Sequence, residues 1–185
     1  MMRRYQRGSG LDLTQTIFEV IDMRSFSNLW FWIALAVLWS TASHWVMGVP
    51  WDLISRARRK GGTAEHDVAE LVRIYTTRIL YVSEVSGLVL IVLVSFTLTT
   101  LAVLGFGYDV EFAQAVFLLV LPMSIVGALS VRTAYKFKAD WPEGQTLYRK
   151  LHHHRMLVQF IGMVSIFVTT MWGMFQNFSI GVLGG

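Results

Sequence analysis

Residues 82–131 read VSEVSGLVLIVLVSFTLTTLAVLGFGYDVEFAQAVFLLVLPMSIVGALSV, and they indicate the class of the protein. It holds two uncharged apolar runs, residues 85–105 and 112–131, on either side of a glycine-rich turn. A helix of about 20 apolar residues matches the roughly 30 Å hydrocarbon core of a bilayer. Within lipid the backbone must satisfy its own hydrogen bonds, so each run is predicted to be helical. We therefore expect a transmembrane hairpin that emerges into water at Asp109 and Glu111.

The composition of the chain agrees with a membrane protein. Of its 185 residues 54% are hydrophobic and only 15% are charged, and the mean hydropathy is +0.51. These values are unlike those of an ordinary soluble domain. The apolar spans leave no room for a second core, so residues 1–185 are predicted to form one membrane domain. The lack of cysteine excludes disulfide bonds, thiolate metal sites and a cysteine nucleophile.

Two further spans flank the hairpin. Residues 29–48 are apolar with tryptophans near both ends, as interfacial aromatic belts require, and Pro50 would end that helix. Residues 156–176 form the last span. The predicted fold class is therefore an all-α membrane protein, with four transmembrane helices in a bundle.

The N-terminal segment shows a different pattern. Residues 11–24 place apolar side chains on one side of a helix and mostly charged or polar ones on the other. This favours an amphipathic helix in the membrane interface. The alternative is a flexible tail that orders only against a partner. A cleaved signal peptide is not expected, because no apolar core follows the basic start.

The connectors, residues 49–84 and 132–155, are predicted to extend helices two to four into the cytoplasm. Between residue 63 and the turn only Gly87 could interrupt a helix. A helix of about 40 residues is about 60 Å long, twice the membrane core. Apolar residues recur at helical spacing in its first half, so that half should pack against the extensions of the later helices. The side chains expected to be buried there are Val68, Leu71, Val72 and Tyr75.

Lysine and arginine predict the orientation. Six lie in residues 51–78 and six in 132–155, with none between Arg78 and Arg132 and none after residue 155. The positive-inside rule places both connectors in the cytoplasm, and the turn and both termini outside. Four arginines near the N-terminus oppose this orientation, but twelve positive charges outweigh four.

The first connector also contains a basic cluster. Its members are Arg56, Arg58, Arg59 and Lys60. Because this cluster adjoins a span and has few interleaved aromatic residues, we expect it to bind anionic lipid headgroups and not nucleic acid.

Polar residues collect at one predicted depth, the cytoplasmic interface. Ionisable groups are costly in a membrane, so such a layer is a candidate site. Two neutral imidazoles from different helices are the axial ligands that a b-type haem needs, and a quinone could use the same layer. The alternative is contact with headgroups and interfacial water. The candidate cofactor-binding residues are His44, Glu84, His152 and His154.

A metal site built from the three adjacent histidines, residues 152–154, is not expected. Successive helical residues point about 100° apart, so one helix cannot aim all three side chains at one ion.

Small and polar residues form stripes on the last two spans. Small residues let membrane helices approach closely, and hydroxyls and amides bond across the contact. We expect these faces to pack the four helices together; a subunit interface or an aqueous lining in an oligomer are the alternatives. The residues are Gln159, Gly162, Ser165, Thr169 and Gly173 on the fourth span, with Ser124, Gly127 and Ala128 on the third.

Two stretches carry a family resemblance. Residues 18–27, FEVIDMRSFS, and residues 39–45, WSTASHW, resemble a family of small alphaproteobacterial membrane proteins. Some members carry a label that links them to the Suf iron–sulfur assembly complex. The resemblance covers the first third of the chain and includes no catalytic motif. It implies a bacterial inner membrane location and carries no activity.

The sequence as a whole predicts a non-catalytic integral membrane protein, either an oligomer or an accessory subunit of a larger membrane complex. One alternative is a small redox subunit that binds haem b or quinone at the cytoplasmic interface. A second alternative is a homo-oligomeric channel.

Overall fold

The structure is a computed structural model that describes residue 26 and residues 29–183, with side chains described as far as residue 178. The amphipathic helix predicted for residues 11–24 lies outside the described residues. The described part is mostly helical. Its elements are α1 (Leu29–His44), β1 (Trp45–Val46), β2 (Val49–Pro50), α2 (Trp51–Lys60), α3 (Thr63–Ala102), a π-helical turn (Val103–Gly107), α4 (Glu111–Ala139) and α5 (Gly144–Leu183).

Three of the described helices are long and apolar enough to cross a membrane. They are α3 with its π-helical turn, α4 and α5. A fourth span would require α1, which is apolar but has 16 residues and is about 24 Å long at ~1.5 Å per residue. The structure is thus a helical bundle with three candidate transmembrane helices.

The first apolar helix is shorter than the predicted range 29–48, because it ends at His44. The chain then reverses in a two-stranded antiparallel hairpin whose turn is Met47 and Gly48. Both turn residues have positive φ, 52° and 84°, as the tight two-residue hairpin turn requires. The hairpin side chains Val46, Met47 and Val49 are all buried in the apolar core, and that burial favours the hairpin over a continued helix.

Helix α3 has 40 residues and is continuous with the π-helical turn, so the predicted long helix is confirmed. It is twice the length that a bilayer core needs. The first connector also contains the ten-residue helix α2.

The apolar core lies at one end of the bundle, which we call the hairpin end. It is built from the hairpin, α2, the first half of α3, the last turns of α4 and the first turns of α5. Val68 and Val72 are buried there, as predicted, whereas Leu71 and Tyr75 pack against it only half-buried. The remaining core side chains are Ile54, Ala57, Leu80, Ala134, Phe137, Leu147, Tyr148 and Leu151, together with those of the hairpin.

A buried amide holds the opposite end, which we call the turn end because it contains the reversal between α3 and α4. Gln114 Nε2 donates to the carbonyl oxygen of Gly105 at 2.7 Å. Its Oε1 accepts from Trp172 Nε1 at 3.0 Å and from Gln176 Nε2 at 2.6 Å. Gln114 is 1% exposed, so these bonds satisfy a polar group that burial would otherwise penalise. One side chain therefore joins the turn, α4 and α5.

The hairpin turn yields a stability prediction. In Gly48→Ala the new Cβ would lie 2.6 Å from Tyr75 Cδ1, at a φ that L side chains rarely adopt. We expect a loss of about 1–3 kcal/mol, measured as a lower thermal midpoint of the detergent-purified protein. Gly87→Ala is the control, since its Cβ would meet only Ser83 Oγ at 3.7 Å within a helix. Equal midpoints for the two variants would contradict this account of the turn.

Candidate functional site

His44 ends α1 and lies near the start of α2. Its Nε2 is 3.5 Å from Asp52 Oδ1, and the two side chains are 53% and 71% exposed. A cavity of about 450 Å³ beside it is lined by Ser40, Thr41, Ser43, Trp45 and Arg155 as well as His44. The His44 imidazole is thus half-exposed at the rim of the bundle.

Glu84 faces a lysine and not a histidine. Its Oε1 accepts from Lys138 Nζ at 2.7 Å, which joins α3 to the end of α4. Both side chains are more than half exposed, so the pair contributes little to stability.

His152 packs on the indole ring of Trp51, with the ring centroids 5.8 Å apart. The Arg155 guanidinium lies 4.3 Å from the centroid of the same indole, within cation–π distance. Arg155 Nε also donates to the carbonyl oxygen of Ser43 at 3.3 Å. Trp51 and Arg155 therefore connect α5 to the start of α2 and to the end of α1.

His154 is the buried histidine of the three, at 4% exposure, while His152 and His153 are exposed. Its Nδ1 lies 3.1 Å from Thr133 Oγ1 on α4. The Thr133 hydroxyl gives its single hydrogen to the Leu129 carbonyl oxygen at 2.8 Å. In the tautomer that carries its hydrogen on Nδ1, the imidazole donates to the Thr133 oxygen.

The structure does not bring the four predicted cofactor-binding residues together. In the described part of the chain no hydrogen bond, ion pair or ring contact joins any two of them. Across the same residues no group of three His, Asp or Glu side chains is placed to hold a metal ion. The four side chains have different neighbours: Asp52 for His44, Lys138 for Glu84, the Trp51 ring for His152 and Thr133 for His154.

The small-residue stripe of α5 contacts α1. A Cβ added to Gly162 would lie 2.7 Å from Trp39 Cε3, so the indole rests directly on the glycine. A Cβ added to Gly173 would lie 3.3 Å from Phe26 and 3.4 Å from Trp32. Ser165 and Thr169 are buried in the same face, and Gln159 is half-buried beside it.

The small-residue face of α4 is open. Gly127 and Ala128 are exposed, and a Cβ built on Gly127 would meet nothing within 4 Å. Ser124 is half-buried and its hydroxyl donates to the Val120 carbonyl oxygen at 2.7 Å within its own helix. The two predicted packing faces therefore differ: α1 fills one, and no described residue fills the other.

The basic cluster lies on α2, where Ile54 and Ala57 face the core and all four basic side chains are exposed. Arg58 and Arg59 line a cavity of about 330 Å³ whose other walls are Trp51, Ile54, Ser55 and Tyr148. Arg56 and Lys60 do not line it.

Sequence reasoning missed two residues that organise these sites, Trp51 and Gln114. The signal for Gln114 was available, since it is the one amide in an otherwise apolar span. Trp51 follows the first predicted span, and nothing in the spacing of the sequence indicates that two α5 side chains pack on its ring.

Comparison with family models, with curated proteins and with solved structures found no match to this chain. The resemblance of residues 18–27 and 39–45 stays a prediction.

The buried imidazole yields a second prediction. His154→Ala removes the bond to Thr133 and leaves a cavity between α4 and α5, so the thermal midpoint should fall, at a cost of about 1–3 kcal/mol. His153→Ala is the matched control on the exposed side of the same helix and should leave the midpoint unchanged. A silent His154→Ala would show that this imidazole does not hold α4 against α5.

Proposed function

We propose that this chain is a non-catalytic, multi-pass protein of the bacterial inner membrane that acts as an assembly subunit. It associates through α4 with another transmembrane helix, of a second copy or of a larger membrane complex. The observation that carries the proposal is the open face of Ser124, Gly127 and Ala128.

Exposed apolar side chains do not by themselves support assembly. None of the 18 residues in the most apolar window of α3 is buried, but lipid is the expected neighbour of such a surface. Small residues are different, because they pack poorly against acyl chains and let two helix backbones come close. An open small-residue face within a span is therefore a contact surface for a helix.

The difference between the small-residue faces of α4 and α5 disfavours the channel. A channel would use the small, polar face of α5 as its pore lining. Gly162 and Gly173 on that face are covered by aromatic rings from α1 and from Phe26 before it. The redox alternative is less well supported, because Glu84 bonds to Lys138 and no direct contact joins it to His44, His152 or His154 among the described residues.

A fourth span by α1 is part of the proposal. Phe26, just before α1, donates its backbone N–H to Glu111 Oε1 at the turn end, at 2.8 Å. Ser43 accepts from Arg155 at the hairpin end, next to the predicted start of the last span. Helix α1 thus runs between the charged residues that bound the apolar bundle. Its 16 residues are short for a bilayer, and local thinning or flanking aromatic residues accommodate such a mismatch.

With four spans, the positive-inside rule places the hairpin end in the cytoplasm and both termini outside. The basic face of α2 then meets the anionic cytoplasmic leaflet, which supports this orientation.

The assembly prediction concerns Gly127→Leu. The protein extracted in a mild detergent should have a mass above that of the 21.0 kDa chain, measured by light scattering with correction for detergent. Gly127→Leu should shift the population to the smaller species by blocking close helix approach, while leaving the fold intact because the position is open.

Thr170→Leu is the control, since it enlarges an exposed position on α5 away from this face. A wild type that is monomeric both in detergent and in cross-linked membranes, with no other subunit attached, would overturn the proposal. Equal masses for wild type and Gly127→Leu would remove α4 as the contact surface.

A further inference from the structure

The cavity beside α2 differs from a diffuse basic surface. Arg58 and Arg59 are adjacent, exposed residues near the end of α2, and both line one concave space of about 330 Å³. In the described part of the chain neither guanidinium has an acidic partner. Two cations that converge on a cavity without an internal counter-ion favour an anion there.

A buried hydroxyl in the cavity wall is the second, independent observation. Tyr148 is 5% exposed, and its phenolic oxygen is buried without a hydrogen-bond partner among the described residues. An unpaired buried hydroxyl is costly, and native structures rarely leave one unexplained. A ligand oxygen that reached the Tyr148 hydroxyl would accept this hydrogen and satisfy it.

The other walls indicate what kind of anion fits. Trp51 and Ile54 supply apolar surface, and the Ser55 hydroxyl already donates to the Asp52 carbonyl oxygen at 2.9 Å. The hydrogen-bond donors available to a ligand are thus two guanidinium groups and one phenol, each on a separate residue. A planar carboxylate is suited to one guanidinium fork, whereas the several oxygens of a phosphate can accept from all three groups.

The position of the cavity also favours a phosphate group as its ligand. Trp51 also packs against Arg155, next to the predicted start of the last span, so the cavity lies where that span enters lipid. Phosphate groups of anionic lipids are concentrated at such a level on the cytoplasmic side.

We propose that Arg58, Arg59 and Tyr148 form a binding site for a phosphate ester, with Trp51 and Ile54 as its apolar wall. The ester is the headgroup of an anionic phospholipid or a free phosphorylated small molecule. This site stands apart from assembly through α4, because none of its residues lies on that helix.

Charge-matched variants test the site. Arg58→Gln with Arg59→Gln removes two positive charges from the cavity, and Arg56→Gln with Lys60→Gln removes the same charge from the same helix outside it. The thermal midpoint of each purified protein is measured in neutral detergent, with and without added phosphatidylglycerol, and separately with inorganic phosphate.

Phosphatidylglycerol should raise the midpoint of the wild type and of the Arg56, Lys60 variant by about 5 °C near saturation. The Arg58, Arg59 variant should lose this rise. Tyr148→Phe should weaken the rise while leaving the midpoint without ligand unchanged or higher, since it removes an unpaired buried hydroxyl. A weaker response to the lipid together with an unchanged or higher midpoint without it would show that Tyr148 contacts the ligand and is not only structural.

The two ligand sources give different results. A response to phosphatidylglycerol alone assigns the site to a lipid headgroup, and a response to inorganic phosphate without anionic lipid assigns it to a soluble phosphate ester. If both charge-matched variants lost the rise in midpoint equally, the four basic residues would act only as a diffuse electrostatic anchor, and the proposal would be overturned. No response of the wild type to either probe would overturn it as well.

Discussion

The apolar core at the hairpin end is the interaction on which the rest of the structure depends. Val72, Phe137 and Leu151, from α3, α4 and α5, are each no more than 1% exposed there, and the hairpin and α2 complete the cluster. Within lipid, helices gain no hydrophobic free energy by contacting one another. Where they project into water the hydrophobic effect operates. The long helices are therefore fixed relative to one another chiefly by the parts that extend beyond the apolar spans.

The turn end is held by different forces. Gln114 joins three elements through hydrogen bonds, and Phe26 and Trp32 rest on Gly173 of α5. Nearer the hairpin end, Trp39 rests on Gly162 of the same helix. These contacts use up the small face of α5 and leave that of α4 open. A bundle that is fixed at both ends but open along one helix is suited to adding another helix without rearranging itself, and this is the basis of the assembly proposal.

The long helix and the reversal near Gly105 could be predicted, because an uninterrupted periodic pattern and a glycine-rich turn are local signals. The hairpin could not, since Met47 gives no sequence signal for a positive φ and the helix stops only because Val46 and Val49 find a core made by distant helices. The neighbours of the candidate cofactor-binding residues could not be predicted for a similar reason. Sequence position fixes the depth of His44 and Glu84 along their helices, but it does not fix the direction each side chain faces.

We propose that the apolar core lies in water on the opposite side of the membrane from the turn. Because the chain has no cysteine, single substitutions report accessibility without background. A membrane-impermeant maleimide should label Tyr108→Cys in intact cells, label Asp67→Cys only after the membrane is opened, and label Leu93→Cys in neither case, although all three positions are exposed in the protein. Labelling of Asp67→Cys in intact cells, or of Leu93→Cys as readily as Asp67→Cys in opened membranes, would contradict the account.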